Sequence, residues 1–437
     1  MKTEDFLKND LSRRQFLGSS AKNAAGVAAG MVSLAGTVAQ AAPSERVSLG
    51  VIGVRGRGKT LATELAAFGD VDVSVLCDVD RNVIPASSEL VEKQQGFAPR
   101  VEQDFRRVID DPSIDAVVIA TPDHWHAVMT LLACQTGKDV YVEKPVSHNI
   151  HEGEQMLAAA RKYERVVQTG LQQRSGSHFQ SAVEFVRSGK LGQVKLAKAW
   201  TVHRRKSIGF KKNTAAPAGV DYDLWLGPAA QQPFNPNHFH NNWHCFWDFG
   251  SGELGNWGVH MLDIARWGLD AGLPNRISAS GGKLVFNDDQ QTPDTQIVTY
   301  NYPDTTIVWE HRLWSNRGIE GRSAAAAFYG EQGTLIVDRG GWKVYDGKES
   351  VTSDTSEMQR THCRSFIDSI KTRDTPTADI QEGHRSTALC HLGNIAYRLG
   401  REVSFDSESM QFGGDDAANA LLTREYREPW KLPKIDD

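Results

Sequence analysis

The sequence is poor in the features that mark metal-binding, disulfide-stabilised and nucleic-acid-binding proteins. Five cysteines occur among 437 residues, an odd number, widely scattered and without a C-x-x-C pair. This spacing excludes a disulfide framework and a cysteine-based zinc site, so we predict no metal. The net charge is −5 and no basic patch stands out, so nothing favours a nucleic-acid partner.

Apolar runs long enough to cross a membrane are missing after residue 43. Before it, Ser12–Leu17 reads SRRQFL, and an uncharged Ala/Gly-rich stretch follows from Asn23 to Pro43. This pattern predicts a twin-arginine export signal at residues 1–41, cut after Ala41. The mature protein is then expected in the periplasm or cell envelope, without stable membrane insertion. A retained anchor is the alternative, although Ala, Gly, Ser and Thr make a poor one.

A glycine-rich turn follows the first apolar run after the signal, in the segment Val47–Gly58, VSLGVIGVRGRG. A strand, a tight glycine turn and a helix N-terminus together form a binding site for the pyrophosphate of a dinucleotide. An arginine stands at the second position of the G-x-G-x-x-G pattern. Asp78 ends the next strand, where an acid suits a ribose 2′-hydroxyl and so favours NAD over NADP. The turn residues predicted to contact NAD are Gly53, Arg55, Gly56, Arg57 and Gly58.

Apolar strands then alternate with helical segments up to about residue 170. The further strands are predicted at Val73–Cys77, Ala116–Ala120, Val140–Val142 and Val166–Thr169. This alternation predicts an α/β doubly wound parallel sheet, a Rossmann domain at residues 44–170. Ligands bind at the carboxyl ends of such strands, where Thr121–His126 and Glu143–Pro145 lie.

The pattern changes after residue 171, where strand-like runs follow one another with few helices between them. It predicts an α+β domain at residues 171–437, with a large open, mainly antiparallel sheet. The expected strands are Val194–Val202, Ile277–Phe286, Gln296–Tyr302, Thr305–Leu313, Ala325–Gly330 and Thr334–Val337. The expected helices are Ser177–Ser188, Gly255–Leu269, Ser356–Thr372 and Glu382–Leu399. Residues 203–250 are loop-rich and aromatic, typical of a binding lid.

Several short motifs occur in a fixed order along the chain. They are ATPDHWHA at Ala120–Ala127, EKP at Glu143–Pro145, LWLGP at Leu224–Pro228 and GVHMLD at Gly258–Asp263. With the glycine turn, this combination resembles the Gfo/Idh/MocA oxidoreductases, and most closely the secreted, twin-arginine members. The resemblance implies a Rossmann domain, an open C-terminal sheet whose face often makes oligomer contacts, and hydride chemistry on sugars or cyclitols. A homo-oligomer and a carbohydrate or cyclitol substrate are therefore expected.

Oxidation of a secondary alcohol needs a base for the hydroxyl proton and a positive charge for the developing alkoxide. Lys144, at the end of a strand, suits the charge, and the family's EKP lysine has this role. His260 is the predicted base, because a neutral imidazole accepts a proton near neutral pH. Family dehydrogenases usually carry Asp four residues before this histidine, where this chain has Asn256. An amide cannot accept a proton, so Asn256 is left a positioning role, or a helix cap.

The resemblance also implies further contacts to the cofactor, from Thr121, Trp125, His126, Glu143, Lys144, Pro145 and Gln172. The segment Asn237–Asp248 is rich in His and Trp, and its spacing matches no standard zinc pattern. A sugar site is the favoured interpretation and core packing the alternative. The predicted substrate contacts are His240, Trp243, His244, Trp247, Asp248 and Asp263. The basic run His203–Lys206 is interpreted as a solvated loop, with an acidic sugar as the less favoured partner.

Three functions remain open from the sequence. The first is an exported NAD-dependent oxidoreductase acting on a sugar hydroxyl and holding its cofactor tightly, because free NAD is scarce outside the cytoplasm. The second is a redox-neutral, NAD-dependent glycosidase or lyase that oxidises a ring carbon only transiently. The third is a non-catalytic sugar-binding member of the family.

Overall fold

The computed structural model describes residues 45–345, 347–353 and 355–435. The predicted export signal, residues 1–41, lies outside the described residues. Within these ranges, no helix combines the length and apolarity that a membrane crossing needs. All five cysteines are described, and each is a buried free thiol.

A six-stranded parallel sheet organises the N-terminal domain. Its strands are β1 (Val47–Ile52), β2 (Val71–Cys77), β3 (Arg100–Glu102), β4 (Ala116–Ile119), β5 (Asp139–Val142) and β6 (Val167–Thr169). They are ordered β3-β2-β1-β4-β5-β6, so the direction of winding reverses between β1 and β4. β4 and β5 are buried at every residue, as expected for parallel strands covered on both faces. The predicted doubly wound Rossmann sheet is confirmed, and its switch point faces the glycine turn.

Five helices connect these strands. They are α1 (Gly56–Ala66), α2 (Ile84–Gln95), α3 (Phe105–Ile109), α4 (His126–Gln135) and α5 (Ile150–Lys162). α1 begins at the glycine turn without a side-chain cap, so its first N–H groups are open to a ligand. α5 instead begins with the Asn149 side chain accepting from the backbone N–H of Glu152, at 2.9 Å.

A nine-stranded mixed sheet organises the C-terminal domain. Its strands are β7 (Val194–Val202), β8 (Arg276–Gly282), β9 (Thr295–Asn301), β10 (Thr306–Arg312), β11 (Ala324–Gly330), β12 (Gly333–Asp338), β13 (Gly341–Tyr345), β14 (Ser350–Thr352) and β15 (Val403–Ser404). The order is β14-β13-β12-β11-β7-β10-β9-β8-β15. Only the β7–β10 pair is parallel among these described pairs, so the predicted mainly antiparallel sheet is confirmed.

The C-terminal helices cover one face of this sheet and reach back to the first domain. They are α6 (Ser177–Arg187), α7 (Tyr222–Leu226), α8 (Val259–Leu269), α9 (Ser356–Thr372), α10 (Ile380–Leu399) and α11 (Asp416–Asn419). α6, α8 and α10 bury a core against the sheet around Trp309 and Phe328. α9 instead packs Phe366 and Ile367 into the core of the Rossmann sheet. Helix α9 thus returns to the first domain, a crossing that the sequence pattern did not indicate.

Candidate active site

The glycine turn after β1 is shaped by close backbone packing. Gly53 has φ +83°, and a Cβ there would lie 2.7 Å from the Ala120 carbonyl oxygen. A Cβ on Gly58 would lie only 1.7 Å from the Gly53 oxygen, whereas one on Gly56 would meet no protein atom within 4 Å. Gly53 and Gly58 therefore allow the turn to form. Gly56 leaves open space at the N-terminus of α1, as a passing pyrophosphate requires.

Two connected clefts extend from this turn. The outer cleft, of about 970 Å³, runs from the turn past Asp78, Phe105 and Trp125 to His240. The inner cleft, of about 980 Å³, continues past Thr121 to the ends of β4 and β5 and the C-terminal domain. The residues common to both linings are Arg57, Ala120, Thr121, Asn241 and Trp243. An elongated ligand can therefore lie with one end in each cleft.

Two carboxylates mark the far edge of the outer cleft. Asp78 accepts from the backbone N–H groups of Val54 and Asp80, at 2.9 and 3.0 Å. Burial raises its pKa to about 6, against the effect of these hydrogen bonds. The Asp80 carboxylate lies 2.7 Å from Nε2 of His240, which reaches across from the C-terminal domain. Asp78 thus borders the space for a ribose, and His240 closes it.

Glu143 fixes the floor between the two clefts. It accepts from Nε of Arg57 at 2.7 Å, and Arg57 also donates to Gln359 of α9 at 2.6 Å. Burial alone would raise the pKa of Glu143, but the charges of Arg57 and Lys144 hold it below its usual range. The Glu143 carboxylate is therefore ionised, and its charge is neutralised by Arg57.

Lys144 lies at the centre of the inner cleft and is held by one residue. Its Nζ donates to the Asn256 carbonyl oxygen at 3.0 Å and to Asn256 Oδ1 at 3.1 Å. The Asn256 amide in turn donates to Glu253 at 3.3 Å. Burial lowers the pKa of Lys144, which the nearby Glu143 charge partly offsets. Two of the three N–H groups of Lys144 are thus occupied, and the third is left for a ligand oxygen.

Asn256 has a positioning role, and the group it positions is Lys144. It bonds neither to His260 nor as a helix cap. Its oxygen accepts from Lys144 while its nitrogen donates to Glu253, and an ionised aspartate could not make the second bond. Glu253 is buried and ionised: burial would raise its pKa, but His203 and Arg205 lower it far below its usual range. An aspartate at position 256 would face that charge directly.

Besides Arg205 Nε, three buried polar atoms of residues that line the inner cleft have no protein partner. They are Thr121 Oγ1, Gln172 Oε1 and His260 Nδ1. Burial and the charges of Lys144, Arg339 and Arg57 hold the pKa of His260 well below its usual value. His260 is therefore a neutral imidazole whose Nδ1 is buried without a hydrogen-bond partner. Unpartnered buried polar atoms are costly in a protein alone, so these three favour a polar ligand in the cleft.

Some predicted site residues lie elsewhere. His126 sits beneath the cleft, with its ring nitrogens 2.8 Å from the Pro145 oxygen and 2.9 Å from the Thr121 oxygen, so it ties the two loops together. Asp263 is 1% exposed and bound to Arg174 and Ser386, which leaves it no access to a substrate. The side chains of His126 and Asp263 therefore do not reach the site, because both are occupied by hydrogen bonds that stabilise the fold.

Trp247 and Asp248 also point away from the inner cleft. Asp248 accepts from Gln232 at 3.0 Å, and Trp247 stacks 5.4 Å from the Arg398 guanidinium at a separate small pocket. Trp243 and His244, from the same segment, do line the inner cleft. The segment turns through a short helical stretch at Asn242–Cys245, which sends neighbouring aromatic side chains in different directions.

The structure adds residues that were not among the predicted contacts of the site. They are Asp80, Arg205, Glu253, Trp257, Arg339 and Gln359. Arg205 lies within the basic run interpreted as a solvated loop, and it instead pairs with Glu253 at 2.8 Å. The others come from distant parts of the chain without a motif of their own, so only the fold brings them together.

Comparison with known proteins identifies the family. Residues 47–171 match the oxidoreductase family NAD-binding Rossmann fold, and residues 199–432 match the C-terminal alpha/beta domain of the same family. The chain belongs to the Gfo/Idh/MocA oxidoreductase family. This confirms the resemblance, and with it an NAD-binding Rossmann domain.

Individual relatives share less than a third of their aligned residues with this chain. The chain is 29% identical over 299 residues to the uncharacterized oxidoreductase YrbE of Bacillus subtilis, covering 68% of this chain and 74% of YrbE. It is 25% identical over 214 residues to glycosyl hydrolase family 109 protein 1 of Shewanella sp. (strain ANA-3), covering 45% of this chain and 47% of that protein. Levoglucosan dehydrogenase, solved with NADH and levoglucosan, shares the fold with a TM-score of 0.63 and 17% identity, over 82% of this chain and 99% of that one.

The residues present fit NAD. The open space at Gly56, the Asp78 carboxylate at the edge of the outer cleft and the unpartnered Thr121 and Gln172 atoms follow one continuous path. Gly53–Gly58 would hold the pyrophosphate at the start of α1, and Asp78 the adenosine ribose. The nicotinamide end would then lie in the inner cleft beside Lys144.

Asp123, beneath Lys144, gives a test of the electrostatics that is separate from activity. It is 2% exposed, accepts from Ser251 at 3.1 Å, and burial raises its pKa from 3.8 to about 8. The folded protein therefore keeps a proton that the unfolded chain loses between these pH values, so this group makes stability fall as pH rises from about 4 to 8. Asp123→Asn should remove a penalty on the order of 4 kcal/mol at pH 7.

Scanning calorimetry at pH 5 and pH 8 checks this prediction. The Asp123→Asn protein should unfold at a higher temperature than the wild type at pH 8, and the gain should be smaller at pH 5. The exposed Glu89→Gln change removes one acid without burial and serves as the control. An equal gain at both pH values would show that Asp123 is ionised throughout.

Proposed function

We propose that the protein is an exported NAD-dependent oxidoreductase that moves a hydride to or from a secondary alcohol of a sugar or sugar derivative. The observation that carries this proposal is Lys144, whose Nζ is held by Asn256 with one N–H left over, in the same cleft as the neutral imidazole of His260. A charge for an alkoxide and a proton acceptor thus face one binding space.

The protein's part in the reaction follows from these two groups. When bound, NAD accepts the hydride from the substrate carbon or returns it. Lys144 donates its remaining N–H to the hydroxyl oxygen and stabilises the negative charge that develops there. The neutral imidazole of His260 takes the hydroxyl proton, and gives it back in the reduction direction.

A carbohydrate substrate is supported by the walls of the inner cleft. Trp243 and Trp257 offer aromatic faces, and His244 and Gln172 offer polar groups. Aromatic faces pack on the C–H surfaces of a pyranose while polar side chains bind its hydroxyls. The bound sugar of levoglucosan dehydrogenase is consistent with this class.

Tight retention of NAD is supported by the closure of the outer cleft. The His240–Asp80 contact of 2.7 Å joins the two domains, and the Arg81 N–H donates to the Gly219 oxygen at 3.1 Å beside it. His240→Ala should speed the release of NAD about 10-fold, because the hydrogen bond to a charged partner is lost. Stopped-flow displacement of bound NADH, followed by its fluorescence, measures this rate.

Asp80→Asn supplies the matched control for that experiment. If the contact itself retains NAD, the double variant should release NAD no faster than His240→Ala alone. Additive effects, or an unchanged release rate in His240→Ala, would show that the closure does not hold the cofactor.

A second candidate is a redox-neutral glycosidase. The chain matches about half the length of its glycosyl hydrolase family 109 relatives, which supports considering that reaction class. Transient oxidation of a ring hydroxyl acidifies the neighbouring C–H, the glycosidic substituent leaves by elimination, water adds, and the hydride returns to the carbon. The same Lys144 and His260 serve the first and last steps, and no outside redox partner is needed.

One assay separates these functions. NAD-loaded protein is mixed with single sugars and with aryl glycosides, and both absorbance at 340 nm and free sugar are followed. Net oxidation raises the 340 nm absorbance with one substrate. Glycosidase action releases free sugar without accumulating NADH. If neither signal appears across the panel while sugars bind, the chain is a binding protein and the proposal of catalysis is wrong.

A further inference from the structure

Arg339 packs against Trp257, a lining residue of the inner cleft, and has no carboxylate within 4.0 Å among the described residues. It follows β12 directly, and its guanidinium stacks 4.8 Å from the ring of Trp257, which lines the cleft. Its Nε donates to Gln173 at 3.3 Å, and Gln173 in turn donates to the His260 carbonyl oxygen at 3.4 Å. Arg339 is thus fixed beside the proposed base.

The other cations of the cleft point the same way. Arg205 lines the inner cleft and donates from Nη2 to Glu253, whereas its Nε is buried without a hydrogen-bond partner. Lys144 is held by an amide and a carbonyl rather than by a carboxylate. Among the described residues, neither Lys144 nor Arg339 has a carboxylate oxygen within 4.0 Å.

The nearby acids are already used. Glu143 is neutralised by Arg57, and Glu253 by Arg205. Burial raises the pKa of Asp123 to about 8, so it is largely protonated at neutral pH. Burial and the neighbouring Arg57 lower the pKa of Arg339, as expected where no anion compensates it. A half-buried guanidinium without a counter-charge is costly unless a ligand supplies one.

We propose that the inner cleft selects an anionic sugar, in which Arg339, helped by the guanidinium of Arg205, binds a carboxylate of the uronic-acid type. This inference rests on the proposed function, since it names the substrate class of the same site. A planar guanidinium stacked on Trp257 keeps one edge free for two parallel hydrogen bonds to a carboxylate. A sulfate ester has the same recognition chemistry, and the test distinguishes the two sources.

The pyrophosphate of NAD does not account for these cations. Its predicted place is the start of α1, at Gly53–Gly58, in the part of the cleft lined by Arg55 and Arg57. Arg339 and Arg205 instead lie around Trp257 and Glu253 in the C-terminal domain, on the side of the cleft where a substrate enters. A bound anion there would also offset part of the charge that keeps the pKa of His260 low.

The experiment measures equilibrium binding to the NAD-loaded protein by calorimetry. Three pairs of probes are used: glucuronate with glucose, galacturonate with galactose, and glucose 6-sulfate with glucose. The variants are Arg339→Gln, which keeps a donor to Gln173, and Arg339→Lys, which keeps the charge but not the planar fork. Lys343→Gln is the control, because it removes an exposed charge on the neighbouring strand β13.

The expected result is at least one uronate that binds about 10-fold tighter than its neutral parent. Arg339→Gln should lose most of this preference, Arg339→Lys should retain part of it, and Lys343→Gln should leave it within about 2-fold. Preference for glucose 6-sulfate alone would identify a sulfate ester as the anion. Equal binding of neutral and anionic probes, or an unchanged preference in Arg339→Gln, would overturn the proposal.

Reduction of the bound NAD and alteration of the sugar are measured in the same samples. These measurements distinguish a failure of the oxidoreductase proposal from a failure of the proposed anionic selection. If uronates bind through Arg339 but neither reduce the bound NAD nor are altered, the anionic site stands and the proposed oxidoreductase function fails. If neutral sugars reduce NAD as well as uronates do, the function stands and the anionic selection fails.

Discussion

Lys144→Met should lower turnover about 10²- to 10³-fold, because it removes the charge that faces the developing alkoxide, a loss of about 2.7–4 kcal/mol by analogy with one oxyanion donor. Methionine keeps much of the side-chain volume of lysine, so the fold should persist. The effect should fall on the chemical step, measured as the single-turnover rate of NAD reduction by whichever sugar the panel identifies. NAD stoichiometry and thermal unfolding serve as controls on folding and cofactor binding.

Asn256→Asp tests the same site by changing the residue that positions Lys144. The family pattern, with Asp four residues before the histidine, predicts that this change restores an Asp–His relay and raises alcohol oxidation. The structure reverses that expectation, because the new carboxylate would lie about where the amide now donates to Glu253, at 3.3 Å. We expect a slower enzyme whose pH profile shifts, since a carboxylate beside Lys144 raises its pKa. Faster oxidation in Asn256→Asp, or near-normal turnover in Lys144→Met, would remove this Lys144 arrangement from the mechanism.

Gly58→Ala should prevent the Rossmann domain from folding normally. The added Cβ would lie 1.7 Å from the Gly53 oxygen, a backbone atom that cannot move without opening the turn. Overpacking of this kind costs at least about 1–3 kcal/mol, and more where backbone must shift. We expect poor soluble expression or a large fall in the unfolding temperature, measured by calorimetry.

Gly56→Ala is the matched comparison, since a Cβ there meets no protein atom within 4 Å. Alanine also favours the first turn of α1 by up to about 1 kcal/mol, so stability should be unchanged or higher. NAD affinity, measured by calorimetry, should nevertheless fall about 10-fold or more, because the methyl group occupies the path of the pyrophosphate. Normal NAD binding in Gly56→Ala would place the pyrophosphate elsewhere.

The parts of the site that the sequence predicted lie at the ends of parallel strands. The turn after β1, Asp78 after β2, Thr121 after β4 and Lys144 after β5 meet because the carboxyl ends of parallel strands share one edge of the sheet. The long strand β7 and the helix α9 were predicted with the bounds that the structure gives them, Val194–Val202 and Ser356–Thr372. Periodicity and order along the chain are enough for such elements.

The other residues of the site are placed by contacts between distant parts of the chain, and no local sequence pattern predicts such contacts. Gln359 reaches Arg57 only because α9 crosses back onto the first domain. Arg339 reaches Trp257 only through the pairing of β12 with its neighbours. The sequence predicts one sugar site along Asn237–Asp248, but the turn within this segment places some of its side chains in the two clefts and others at a separate pocket. A motif identifies functional residues that are close together in the sequence. Contacts between residues far apart in the sequence can be identified only from the folded structure.

The central claim is that NAD retained in this cleft exchanges a hydride with a sugar carbon, and isotope transfer tests it directly. Purified protein is incubated with sugars and uronates deuterated at every ring carbon, then denatured, and the released nucleotide is weighed by mass spectrometry. We predict about one nucleotide per chain, and with at least one sugar a nicotinamide that has gained one deuterium. Net oxidation leaves the deuterium on the nicotinamide, whereas the redox-neutral cycle returns it to the sugar carbon, so a glycosidase would release NAD of unchanged mass together with free sugar from a glycoside. A protein that releases no nucleotide, or NAD of unchanged mass with every sugar and no free sugar from any glycoside, would contradict the account.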